Sequence, residues 1–344
     1  MSVGRRLLLV ALPLYAVVFV GAVALGSMGY FHFGDPQHAC ASCHEMTAMH
    51  SDWNLSAHRT LHCRNCHGGS LTLDAHALRA HVRRVVQHFT GDPEQPIRLG
   101  EPEVLALHRS CQSCHPQSFA DWQGGGHAVT YARIFLDPAH NRTEPPAEDC
   151  LRCHGMFFAR PIGELVGHSG RSDTWTLRDP AQGAEPAIPC LACHQVHTPA
   201  GGGAVAHLYE PRSRLHLPPA ALPAPRIEQD GRSVRVSSDA RQRLCAQCHA
   251  PAADHRLGSS DDRTPAGVHE GLSCLDCHGH HRLAARGSCT ACHPARSNCG
   301  RDVRTMDTTF LSSSSRHDIH TVACRDCHPS GTPVAGRPLA GPAQ

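Results

Sequence analysis

The sequence predicts a mostly helical and irregular fold: one N-terminal transmembrane helix, then short helices and loops with no sizeable sheet. Three observations predict it. An apolar run from Leu7 to Leu25 follows Arg5 and Arg6. Thirty glycines and 26 prolines cut the remaining chain into pieces too short for long regular elements. Eighteen of the 19 cysteines fall into nine Cys-x-x-Cys clusters, each followed at once by histidine.

The apolar run comes first. It is long enough for about one bilayer crossing, and the arginines before it hold that end in the cytoplasm. The competing reading is a cleaved signal peptide, because Ala22-Val-Ala24 has the small-x-small pattern of a cleavage site. Either way the chain is exported. The expectation is a single-pass protein of the inner (cytoplasmic) membrane, with its main body in the periplasm or outside the cell.

The clusters carry the chemistry. In order they are Cys40, Cys43 and His44; Cys63, Cys66 and His67; Cys111, Cys114 and His115; Cys150, Cys153 and His154; and Cys190, Cys193 and His194. Then come Cys245, Cys248 and His249; Cys274, Cys277 and His278; Cys289, Cys292 and His293; and Cys324, Cys327 and His328. This order suits covalent haem attachment: two thiols form thioethers to the porphyrin, and the adjacent imidazole becomes the proximal iron ligand. Zinc knuckles and redox dithiols also use Cys-x-x-Cys, but neither requires the following histidine. Nine covalently bound c-type haems are therefore expected, with the short helices and loops wrapped around them. Aromatic residues make up only 5% of the chain, so porphyrin burial must replace much of the usual core. Cys299 is left over and reads as a buried small hydrophobe, with pairing or reactivity as the alternative.

Sixth ligands can come from the 21 histidines outside the clusters. His58, His108, His269 and His317 lie just before a cluster and His127 follows one; these five are the expected distal ligands. His50, His62, His197 and His320 are weaker candidates, placed similarly. Sequence alone does not say which serves which iron.

The organisation read along the chain is a stub and anchor over 1–34, a two-haem segment over 35–92 and haems three to five over 93–211. A Pro/Ala-rich connector over 212–240 leads to haems six to nine over 241–328, and a disordered tail spans 329–344. A helix is expected near Leu71 to Phe89, with Leu78, Val82, Val85 and Phe89 on one stripe and His81 and His88 on another. The formal net charge is +2, and no nucleic-acid partner is expected.

Cys40 to Met46 (CASCHEM) after an N-terminal anchor, followed by Ser56 to Gly69 (SAHRTLHCRNCHGG), resembles the NapC/NrfH family of membrane-anchored quinol dehydrogenases over about the first 90 residues. The resemblance implies Met46 as an axial ligand to the first haem, a quinol substrate bound at the membrane surface, and a quinol or membrane redox complex as donor. The family's pocket lysine has no counterpart, since the chain contains no lysine; Arg79, Arg83 and Arg84 occupy that segment. Cys111 to Ala128 resembles segments of the cytochrome c-554 and octahaem group, where a Trp and a His follow a haem motif.

Three functions follow as expectations. The first is an electron conduit from quinol or a membrane partner to a periplasmic or extracellular acceptor. The second is a terminal reductase of a small nitrogen or sulfur oxyanion. The third is a subunit of a haem filament or respiratory complex. Lacking lysine, the chain has no Cys-x-x-Cys-Lys site.

Overall fold

The computed structural model describes residues 3–34, 41–42, 46–67, 99–169, 174–194, 231–239, 241–249, 263–279, 289–293 and 317–327, with 86, 89–90, 196–197, 208–210, 215–217, 226–229, 254–256, 281 and 304. The chain forms two compact units, residues 1–111 with 195–204, and residues 112–194 with 205–344.

In the first unit, α1 runs Val3–Phe33 with Pro13 inside it. Leu12, Leu14, Val17, Val18, Phe19, Val20 and Leu25 are exposed on it. Among the described residues no helix is long and apolar enough to cross a membrane. Helix α2 (Thr47–Leu55) ends at a small polar knot. The buried Ser56 hydroxyl donates to Trp53 O (2.8 Å) and accepts from His58 N (3.1 Å), while Trp53 Nε1 donates to His58 O (3.0 Å). This satisfies the helix end and turns the chain toward α3 (Cys63–His67), the second cluster. The expected helix near 71–89 falls almost wholly outside the described residues, as do His81 and His88. Cys40, Cys43, His44, Cys299, His328 and the 329–344 tail lie outside them too.

Helix α4 (Glu101–Cys114) carries the third cluster's cysteines at its C-terminal end. Glu101 and Glu103 in its first turn complement the helix dipole, and Val104, Leu105, Leu107 and His108 form its buried stripe. In the second unit α5 (Pro116–Gln123) begins at a proline, as helices tolerate in the first turn. Helix α6 (Tyr131–Phe135) is capped by Thr130 and α7 (Pro138–Thr143) by Asp137. The main core packs Tyr131, Phe135, Leu151, Met156, Phe158, Leu165, Val166, Ala187 and Ala192 together.

Among the described residues seven short strands appear, where the sequence predicts no sizeable sheet. Strands β1 (Val166–Ser169) and β2 (Thr174–Leu177) pair antiparallel, as do β3 (Leu208–Glu210) and β4 (Leu215–Leu217). In the third sheet β5 (Arg226–Gln229) lies between antiparallel β6 (Arg232–Val234) and parallel β7 (Asp254–Arg256). Each has only three or four residues, too few for an alternating pattern to stand out. Gly231, at φ +73°, leads into β6 of the β5–β6 hairpin, and the Asp-Gly dipeptide in the sequence there is a hairpin signal. Ile227 and Val234 face each other across that hairpin and bury with Ala266.

Candidate haem sites

Numbering the sites 1 to 9 by cluster order, the described clusters share one local structure. Each cysteine pair lies on a helical turn, and at four sites the histidine N–H donates to the first cysteine's carbonyl. The distances are 2.8 Å for His154 to Cys150, 2.9 Å for His194 to Cys190, 2.9 Å for His278 to Cys274 and 2.8 Å for His293 to Cys289. Residues at i, i+3 and i+4 share a helix face, so the turn presents two thiols and an imidazole to one side.

The two intervening residues anchor the turn. At site 4 Leu151 is fully buried in the main core; at site 5 Leu191 and Ala192 are buried. Gly155 follows His154 with φ +98°, and its N–H donates to Ala187 O (2.9 Å). A Cβ there would lie 2.8 Å from the Tyr131 ring. Glycine is what lets the site 4 histidine leave its turn against Tyr131. At site 7 Ser273 caps the turn in a reciprocal box with Asp276, and its hydroxyl donates to Asp239 Oδ2 (2.9 Å).

Among the described residues, five proximal histidines each face a histidine from outside the clusters. His67 faces His197 with ring centroids 6.0 Å apart, and His249 faces His127 at 6.2 Å. His194 faces His281 at 5.8 Å, His293 faces His269 at 6.3 Å and His278 faces His320 at 6.1 Å. An imidazole nitrogen binds a metal at about 2.0–2.1 Å and sits about 1.1 Å from its ring centre, so two rings sharing one iron have centres about 6.2 Å apart. All five separations fall within a few tenths of an ångström of that. The donor sets therefore fit one iron between each pair. Among the described residues no three His, Cys, Asp or Glu side chains gather round a point where a bare ion could be held. Two axial nitrogens suit an iron that arrives with four equatorial ones.

Contacts behind the rings agree. Nδ1 of His269 lies 3.1 Å from Ile319 O, and Nδ1 of His320 lies 2.9 Å from Asp318 Oδ1. A metal-binding histidine commonly engages a carbonyl or carboxylate through its other nitrogen, which fixes tautomer and orientation. Burial lowers the pKa of His127, His197 and His293, and pushes His249 down to about 4 with His127 and Arg263 adding to the effect. These imidazoles are neutral at pH 7, the form that ligates.

Of the five expected distal ligands, His127 and His269 face proximal rings at sites 6 and 8. His108 is buried on α4, one turn before Cys111, and burial lowers its pKa. His58 lies close enough to His197 to lower that residue's pKa, while the ring opposite His67 is that of His197. His317 precedes the turn that carries His320. His197 and His320 were weaker candidates. His281 was not singled out at all; the only signal for it is the doublet His280-His281 just after the seventh cluster. Met46 sits at the start of α2, and its presumed partners at site 1 lie outside the described residues.

Residues 110–195 and 223–279 match the family described as cytochrome c554 and c-prime. The chain is also similar to the cytochrome c nitrite reductase subunit NrfH of Nitratidesulfovibrio vulgaris, with 27% identity over 99 residues. That stretch covers 28% of this chain and 62% of the relative, so the chain spans less than two thirds of the relative's length. No solved structure matches. The clusters, their turn geometry and these similarities support one class: the chain is a multihaem c-type cytochrome, an electron-transfer protein.

Proposed function

We propose that the chain is a membrane-anchored nonahaem cytochrome that takes electrons from quinol or a membrane redox partner and delivers them to a periplasmic or extracellular acceptor. The observation that carries this reading is the set of five facing histidine pairs. Bound haem supplies one-electron chemistry at its iron. His197, His127, His281, His269 and His320 would occupy the sixth positions at sites 2, 6, 5, 8 and 7, leaving no room there for a substrate. A site that binds and reduces a small oxyanion needs an open iron and a proton donor; five saturated sites favour conduction instead.

Anchoring in the cytoplasmic membrane is proposed through Leu7 to Leu25 on the sequence, an apolar run that follows Arg5 and Arg6. The similarity to a nitrite reductase subunit supports a role as the electron-donating partner of a larger redox complex. Met46 remains the proposed axial ligand at site 1, next to the anchor and the quinol.

Electron paramagnetic resonance and near-infrared spectra of the purified holoprotein test the reading. At least five of nine haems should be low-spin with bis-histidine bands, and His278/His320, with rings only 6° from parallel, should give a rhombic signal. His269/His293, at 84°, should give a strongly axial one, because perpendicular rings leave the iron d orbitals nearly degenerate. A spectrum dominated by high-spin ferric haem would refute it.

A further inference from the structure

One short turn reaches two of the facing pairs. Residues 318–321 close on themselves through Thr321 N donating to Asp318 O (3.1 Å). The turn is pinned to the segment before the seventh cluster by Ala266 N donating to His320 O (2.7 Å) and Val268 N donating to Val322 O (3.0 Å). Gly267 lies between those two donors at φ +60°, where a Cβ would run into the Val322 carbonyl; glycine is what lets the two backbones approach this closely. Two ring nitrogens meet the turn. Nδ1 of His269, which faces His293, lies 3.1 Å from the Ile319 carbonyl oxygen. Nδ1 of His320, which faces His278, lies 2.9 Å from Oδ1 of Asp318, and the same oxygen accepts from the His320 backbone N–H at 2.9 Å.

The two imidazoles therefore meet different chemistry: a carbonyl oxygen carries a partial charge, a carboxylate a whole one. With Nδ1 engaged by the carboxylate, the His320 nitrogen left for a metal is Nε2. An Nδ1–H that donates to a carboxylate makes the ring a stronger ligand, and a stronger ligand favours ferric over ferrous iron. The negative charge acts in the same direction, because ferric haem is the more positive of the two states. We propose that Asp318 is a positioning residue of site 7, whose carboxylate orients His320 and lowers the reduction potential of the haem held by Cys274, Cys277, His278 and His320. The inference rests on the bis-histidine reading above. The Asp318 side chain is 49% exposed and that of His320 26%, so water screens part of the charge. Outer partners of a metal-binding histidine are worth about 10–100-fold. Its exposure puts Asp318 at the lower end, about tenfold in the ferric-to-ferrous ratio, which is about 59 mV for a one-electron couple.

Asp318→Asn in the full-length holoprotein removes the charge and keeps a side-chain oxygen to accept both N–H groups. Redox titration followed by paramagnetic resonance reads the outcome. The near-parallel rings of His278 and His320 mark site 7 by its rhombic signal, and the crossed rings of His269 and His293 mark site 8 by its axial one. The rhombic component should keep its g-values and rise in midpoint by about 59 mV. The rise should be the same in about 1 M salt as in about 0.1 M, because added salt screens distant surface charges and leaves a contact hydrogen bond in place. The axial component should move less. Asp318→Ala, which removes the acceptor as well, should raise the rhombic midpoint and also displace its g-values, since the ring loses its hold. A rhombic component that does not shift in the Asn variant, a shift that vanishes in high salt, or an equal shift of the axial component overturns the role of Asp318. Failure of the bis-histidine reading looks different: the unaltered protein would then lack the rhombic low-spin signal.

Discussion

The residue that most sharply separates a tertiary assignment from a sequence one is His281. Its ring lies 5.8 Å from that of His194, whereas His280 is the same residue type one position earlier. In the His281→Ala variant, site 5 keeps both thioethers and His194 but loses its sixth donor. One iron per chain should convert to a high-spin, open form, taking the absorbance of a single haem with it. After reduction the variant should bind one carbon monoxide per chain more than the unaltered protein. The converted fraction should be returned to low spin by added imidazole, which can enter the space the side chain vacated. His280→Ala should leave both the spin state and the carbon monoxide stoichiometry unchanged. Magnetic circular dichroism and carbon monoxide titration read these outcomes directly. An unchanged low-spin spectrum in His281→Ala, or an equal conversion in His280→Ala, would refute the assignment and with it the use of ring separation to find sixth ligands.

Two further outcomes follow from the geometry. Gly155→Ala should destabilise the holoprotein by about 2–4 kcal/mol in chemical unfolding, since φ +98° strains any side chain and the new Cβ meets the Tyr131 ring at 2.8 Å; Tyr131→Leu in the same chain should recover part of the loss by clearing the space. Glu270 is held well down, to about 2, by hydrogen bonds from Arg232 (2.7 and 2.8 Å) and the Arg235 N–H (2.8 Å). A carboxylate whose folded pKa is depressed stabilises the fold above its ordinary value of 4.5 and loses that contribution as pH falls toward about 2. Glu270→Gln should therefore cost about 0.5–1 kcal/mol at neutral pH and flatten the loss of stability between pH 4.5 and 2, as followed by acid titration of the bis-histidine bands.

The sequence by itself determined the attachment chemistry, because its geometry is local. Two thiols and an imidazole at i, i+3 and i+4 fall on one side of a helical turn whatever surrounds them, and every described cluster forms such a turn. The predominance of short helices and loops was legible for a similar reason: proline, glycine and the clusters break the chain at short intervals. The small hairpins escaped, being too short to show a period, although Asp230-Gly231 marked one turn. Sixth ligands were only partly legible. His127 and His269 were chosen for their nearness to a cluster, yet each faces the histidine of a different one: His127 faces His249, and His269 passes over the adjacent seventh cluster to face His293. His197 faces His67 from 130 residues further along the chain. The folded chain decides which rings face each other, because packing rather than distance along the chain sets one imidazole opposite another: Leu151 and Ala192 bury clusters 4 and 5 in one core, and Ile227 buries with Val234 and Ala266 in another.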